Sequence, residues 1–326
     1  MGVEAPCKIN LHLRVKDRRS DGYHDLESLF LALAFGDTLR FELLEAPGGE
    51  KRPGEGLYLD CTVPPGGALS PEDLPPERNI VRRAVSLFRA RTGFDRPLRV
   101  RLEKRIPLGA GLGGGSSDAA STLLALNELA ETALSGNALE EMAGALGSDV
   151  PFFIRAVGTG GAAFVSGRGE RIRSVPGPGD IAVALVNPGF PSGTADAFRL
   201  LDRRREDRAR ERVETERPGE GGLSEEGLIA VLQEEPSKWP YGNDFLPVFL
   251  EAGSERARRA YGDILGDLKA LGADFAGLSG AGSTCFGVFI DRGVAKRAVN
   301  SLRKRWNFVL LTFPLARWGG AVLEYY

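Results

Sequence analysis

Residues Pro107 to Ser121, PLGAGLGGGSSDAAS, combine closely spaced glycines with hydroxyl side chains at the expected start of a helix. Gly109, Gly111, Gly113, Gly114 and Gly115 would let backbone N–H groups close on an anion without a side-chain clash. A helix N-terminus behind them would add free donors and a favourable field. This is chemistry for holding phosphate. A second chemical candidate is Asp149, in GSDVPFF, where a carboxylate follows the helix-stopping Gly147 and precedes a proline expected to limit further helix. On so short a connection it would be presented; alone, it reads equally well as a cap or turn residue.

The elements that must position these residues follow from periodicity. In Cys7 to Val15, polar Lys8, Asn10 and His12 alternate with apolar Ile9, Leu11 and Leu13, as a strand with one face in the core requires. A turn-rich DRRSDGYHD follows. Leu26 to Phe35 is apolar with ambiguous period, and Asp37 to Leu44, Leu57 to Val63 and Leu98 to Leu102 read as strands. Ile80, Ala84, Leu87 and Phe88 give a helix over Asn79 to Arg91. Helices are predicted over Ser116 to Ala130 and Asn137 to Leu146, the second closed by Gly147. Beyond them lie a buried strand at Asp180 to Asn187, helices at Leu246 to Glu255 and Arg256 to Leu271, and strands at Cys285 to Ile290 and Phe308 to Phe313. Such alternation favours a mixed α/β architecture.

The glycine run formally satisfies G-x-G-x-x-G between a strand and a helix. About 20 residues on, however, Glu128 and Glu131 fall on or just after the long helix, not at the end of a second strand. A P-loop would need G-K-[ST], and the run contains no lysine. Any lysine must come from elsewhere in the chain.

Composition narrows the alternatives. The 326 residues suffice for two domains, and 42 basic against 44 acidic residues leave a net charge of −2, with no polyanion-binding signature. Arg199 to Arg217 carries eight arginines and six acids, interleaved as in a solvated helix laced by charge pairs. Cys7, Cys61 and Cys285 are too scattered for a disulfide framework or cysteine-rich metal site. With neither a signal-like segment nor a long apolar stretch, a soluble cytoplasmic protein is expected, binding neither nucleic acid nor membrane.

PLGAGLGGGSSD resembles the phosphate-loop motif of the galactokinase, homoserine kinase, mevalonate kinase and phosphomevalonate kinase (GHMP) superfamily. PCKINLHL at Pro6 to Leu13 and LSGAGSTCFGVF at Leu278 to Phe289 resemble its N-terminal and C-terminal motifs, in order. Lys8-Ile9-Asn10, Asp21-Gly22-Tyr23-His24, GLGGGSSDAA and Gly147-Ser148-Asp149-Val150-Pro151-Phe152 resemble the branch whose substrate carries a cytidine diphosphate group. Cys7 and Ser148 stand where alanine is commoner, and neither change removes a functional group. The nearest rivals are the homoserine and mevalonate kinases.

The resemblance implies an α+β, two-domain GHMP kinase fold. A ribosomal protein S5 domain 2-like catalytic domain would span 1–155, and a ferredoxin-like domain 156–326. It implies ATP as cosubstrate with Mg²⁺, a small-molecule alcohol as acceptor, a place in the non-mevalonate isoprenoid pathway, and a monomer or weak homodimer. Asp149 would be the general base, and Lys8 would stabilise developing charge and orient the alcohol. Pro107, Leu108, Gly109, Ala110, Gly111, Leu112, Gly113, Gly114, Gly115, Ser116 and Ser117 would bind ATP, with Asn79 on the adenine side. Ser116 and Ser117 offer hydroxyls to phosphate or hydrated Mg²⁺, Ser117 being the one candidate metal ligand. Lys8, Asn10, Tyr23, His24, Asp149 and Thr194 would meet the substrate, Tyr23 by stacking on cytosine and His24 by hydrogen bonds to its edge. Gly280, Gly282 and Ser283 would close the site from the second domain. Regions 45–76 and 199–227 read as peripheral insertions.

Overall fold

The structure is a computed structural model that describes residues 1–45, 56–64, 75–159, 161–211 and 223–315. Most of the 45–76 insertion, and residues 212–222 of the charge-rich one, lie outside the described residues.

The first sheet is built around two long strands, β1 (Gly2–Arg18) and β2 (His24–Leu43), paired antiparallel along their length. The apolar stretch of ambiguous period, Leu26 to Phe35, and the strand expected at Asp37 to Leu44 are one continuous β2. Its odd residues Leu29, Leu31 and Leu33 and its even residues Phe30 and Ala32 are buried on opposite faces, so no clean alternation marked it. The other edge of β2 is shared. Its second half pairs with β4 (Leu98–Glu103), which carries the parallel β3 (Leu57–Thr62). Its first half pairs with β5 (Ala162–Gly167), followed by β6 (Arg171–Ser174).

A register shift between Pro6 and Cys7 aims the site residues. Before it, Val3 and Ala5 face one core; after it, Cys7, Ile9 and Leu11 face another. Lys8 and Asn10 are thereby turned toward the helices, on the Phe30 side of the sheet. Those helices are α1 (Ile80–Thr92), α2 (Gly114–Leu129), α3 (Gly136–Leu146) and α4 (Val150–Thr159). The expectation that Pro151 limits helix is corrected: α4 begins directly after Asp149, and Pro151 sits in its first turn, where a missing N–H costs no helical bond.

The second sheet runs β10-β7-β9-β8, entirely antiparallel, with β7 (Ala182–Asn187), β8 (Phe275–Leu278), β9 (Cys285–Phe289) and β10 (Phe308–Thr312). Between β7 and β8 come α5 (Thr194–Glu211), α6 (Glu225–Val231), α7 (Phe245–Ala252) and α8 (Glu255–Ala270); α9 (Arg292–Leu302) joins β9 to β10. Strand order 4-1-3-2 with these crossovers is the ferredoxin-like arrangement. The sheets pack face to face through Ile9, Leu11, Leu29 and Leu31 against Val183, Leu185, Phe286 and Val288. Helices cover both outer faces, giving four layers. Strands β5 and β6 belong by pairing to the first sheet.

Candidate active site

The glycine run forms a loop leading into α2. Gly109, Gly111 and Gly113 adopt left-handed φ values of 57°, 75° and 71°, alternating with residues that do not, a sequence that curls successive amides into an anion-binding nest. The carbonyls are held from outside. Gly109 O accepts from Ser192 N at 2.8 Å, Ala110 O from Thr284 N at 3.1 Å, Gly111 O from Ser279 Oγ at 2.8 Å and Leu112 O from Lys8 N at 2.9 Å. Among the described residues, no acceptor is found for the amides of residues 109–116, the last three opening α2. With its carbonyls engaged and its amides free, the loop is a donor-rich cradle suited to phosphate.

Beneath it, Lys104 Nζ donates to Asp37 and, at 2.7 Å, to Asp118, all three residues being buried. Asp37 also accepts from the amides of Arg105 and Ile106, whereas Asp118 Oδ1 has no partner. Burial pushes the Asp118 carboxyl well above the usual carboxylate range. Asp118 closes the PLGAGLGGGSSD motif, whereas Asp37 and Lys104, the latter five residues before the first loop glycine, carry no motif-level signal.

Lys8 and Asp149 meet. Lys8 Nζ lies 3.4 Å from Asp149 Oδ2, donates to Asn10 Oδ1 at 2.6 Å, and sits 4.4 Å from the centroid of the Phe30 ring. Lys8 is nearly sealed from solvent, while the Asp149 side chain keeps 31% of its surface open at the junction of α3 and α4. Both line a cavity of about 880 Å³ together with Asn10, residues 107–116, Tyr23, His24, Thr194 and Gly280. The remaining expected residues stand back from it. Asn79 caps α1 by accepting from Val81 N, Ser117 is fully buried, and Gly282 and Ser283 lie behind the cavity wall. Ser283 is bonded to Phe190 O and to Asn187 Nδ2.

The same cavity is also lined by Tyr23, His24 and Arg168 from the first sheet and its turns, and by Phe198 and Asp202 of α5. His24 Nδ1 donates to Lys16 O at 2.9 Å, and Nε2 lies 3.1 Å from Asp202 Oδ1. Phe198 stacks on the His24 ring at 5.2 Å, and Arg168 covers Tyr23. No spacing in the chain ties Phe198, Asp202 and Arg168 to Tyr23-His24; Asp202 falls within the charge-rich stretch Arg199 to Arg217, and Phe198 just before it.

Residues 79–156 match the GHMP kinases N terminal domain, and residues 241–307 the GHMP kinases C terminal domain. The 4-diphosphocytidyl-2-C-methyl-D-erythritol kinase of Treponema pallidum (strain Nichols) is 36% identical over 307 residues, covering 94% of this chain and 96% of its own length. The chain belongs to this kinase family. The enzyme of the same name from Anaeromyxobacter sp. (strain K) is 38% identical over 304 residues, covering 92% of this chain and 84% of its own. A solved 4-(cytidine 5'-diphospho)-2C-methyl-D-erythritol kinase superposes with a TM-score of 0.72 at 31% identity, covering 96% of this chain and 99% of that one. At 15% identity and a TM-score of 0.65, L. major mevalonate kinase shares the fold alone. Among the described residues, no helix is long and apolar enough to cross a membrane, and no cluster of three or more His, Cys, Asp or Glu side chains could hold a metal.

Proposed function

We propose that this family member transfers the γ-phosphoryl group of ATP to the 2-hydroxyl of 4-diphosphocytidyl-2-C-methyl-D-erythritol, giving the 2-phosphate and ADP in the non-mevalonate isoprenoid pathway. The observation that carries this reading is the Lys8–Asp149 pair, lining one cavity together with a loop of free amides and the aromatic, hydrogen-bonding side chains of Tyr23, His24 and Phe198.

The free amides of residues 109–116 take the phosphate oxygens of ATP. Phosphoryl transfer then depends on alignment and charge stabilisation. Asp149 accepts the hydroxyl proton as the oxygen attacks phosphorus, and Lys8 steadies the charge gathering on the reacting oxygens. Tyr23, His24 and Phe198 supply stacking and hydrogen bonds for the cytosine. Mg²⁺ bound to the nucleotide would offset phosphate charge. Such an ion keeps phosphate and water as most of its ligands, and the few protein oxygens facing the cavity, from Ser116 and Asp149, fit that demand. Thr194, which opens α5 and lines the same cavity, contacts the substrate diphosphate in this reading.

Turnover of the cytidine compound, mevalonate and homoserine by the purified protein, with ATP and Mg²⁺, tests the reading. Rapid ADP formation only with the cytidine compound is expected; turnover of either rival without it would overturn the substrate assignment.

A further inference from the structure

Asn10 presents the oxygen of its amide to Lys8, and what holds the amide in that sense is Ser28 on β2. The Ser28 hydroxyl lies 2.5 Å from His12 O and 2.9 Å from Asn10 Nδ2. A carbonyl only accepts, so the single hydroxyl proton of Ser28 is committed to His12 O. Toward Asn10 the hydroxyl can therefore only accept, and it must face the NH₂ end of the amide. The amide oxygen is left pointing at Lys8 Nζ, 2.6 Å away. Ser28 is completely buried and does not line the cavity, so no substrate or water takes its place.

We propose that Ser28 is a positioning residue for the transfer step: it fixes the sense of the Asn10 amide and, through Asn10, the aim of Lys8 at the reacting oxygens. The proposal rests on the catalytic assignment of Lys8 made above. Without the hydroxyl, the buried NH₂ of Asn10 has no acceptor on that side, an arrangement costly enough to swing or displace the amide. Lys8 then keeps Asp149 as its remaining charged partner and loses the contact that sets its direction.

The experiment is a kinetic cycle on the full chain: S28A, S28T, N10A and S28A/N10A. For S28A, kcat falls about tenfold to hundredfold while KM for both substrates stays within about twofold. S28T, which restores the hydroxyl, recovers most of kcat. In the N10A background, S28A produces no further fall, because the residue through which it acts is gone. Should S28A fold poorly, S28C, similar in size but a weaker donor, must fall below S28T in kcat. An S28A enzyme with wild-type kcat, or a loss that adds in full to that of N10A, would overturn the proposal. If the wild type turns over none of the three alcohols, the activity reading fails on its own. The crystal structure of S28A then decides the positioning claim: an Asn10 amide moved off Lys8 upholds it, and an unchanged 2.6 Å contact contradicts it.

Discussion

Lys8 Nζ and Asp149 Oδ2 lie 3.4 Å apart although 141 positions separate them in the chain. A register shift in β1 turns the lysine toward the helices, and the junction of α3 and α4 brings the carboxylate to it. Lys8 is nearly sealed while the Asp149 carboxylate is part-open to solvent, which screens the pair at that end and limits its contribution to stability, so the pairing makes sense as chemistry.

Replacement of the carboxylate should separate those two roles. D149N is expected to lower kcat by about 10²–10⁴-fold while changing stability by less than about 1 kcal/mol and leaving ATP affinity nearly intact. Steady-state kinetics, calorimetric ATP titration and thermal melting read the three effects. Near-wild-type turnover would remove Asp149 from the base role.

Gly111 should tolerate no side chain. Its φ is left-handed, and a Cβ there would collide with the backbone oxygen of Ser279 in the second lobe. G111A should cost about 2–4 kcal/mol of stability and weaken ATP binding tenfold or more, as measured by denaturant titration and nucleotide binding.

The charges under the loop predict a pH effect. Burial raises the Asp118 carboxyl, so the folded state favours its protonated form. The associated stability is complete below the ordinary carboxylate range and is lost as pH rises through the raised value. D118N should therefore lose less stability than wild type between about pH 5 and pH 9 in thermal melts. K104M, which strands Asp37 and Asp118, should cost about 3–5 kcal/mol.

Where His24 lines the cavity, F198A removes the ring stacked on it. KM for the cytidine substrate should rise about tenfold, with KM for ATP unchanged. Equal effects on both would place Phe198 outside the cytidine site.

Much of this arrangement was legible in the chain because it is local. The glycine run announced a loop before a helix, and the alternation from Lys8 to Leu13 announced a strand with a polar face. What was hidden depended on tertiary context. A helix can start directly after Asp149 because a proline is free of penalty in its first turn, while β2 hid its period by being buried on both faces. Asn79 and Ser117 carry the residue types expected of a nucleotide site, yet Asn79 caps a helix and Ser117 packs inward. Phe198 and Asp202 reach the cavity only because α5 crosses over His24. Strands β5 and β6 join the first sheet through long-range pairing that no local pattern marks.

The most direct test of the central claim is ³¹P NMR of the reaction of the purified protein with ATP, Mg²⁺ and 4-diphosphocytidyl-2-C-methyl-D-erythritol. The 2-position carries a methyl group and no hydrogen, so its phosphate ester should appear as one new resonance without three-bond proton splitting, growing in step with ADP. A proton-split ester, or ADP formed without any new ester, would contradict the account.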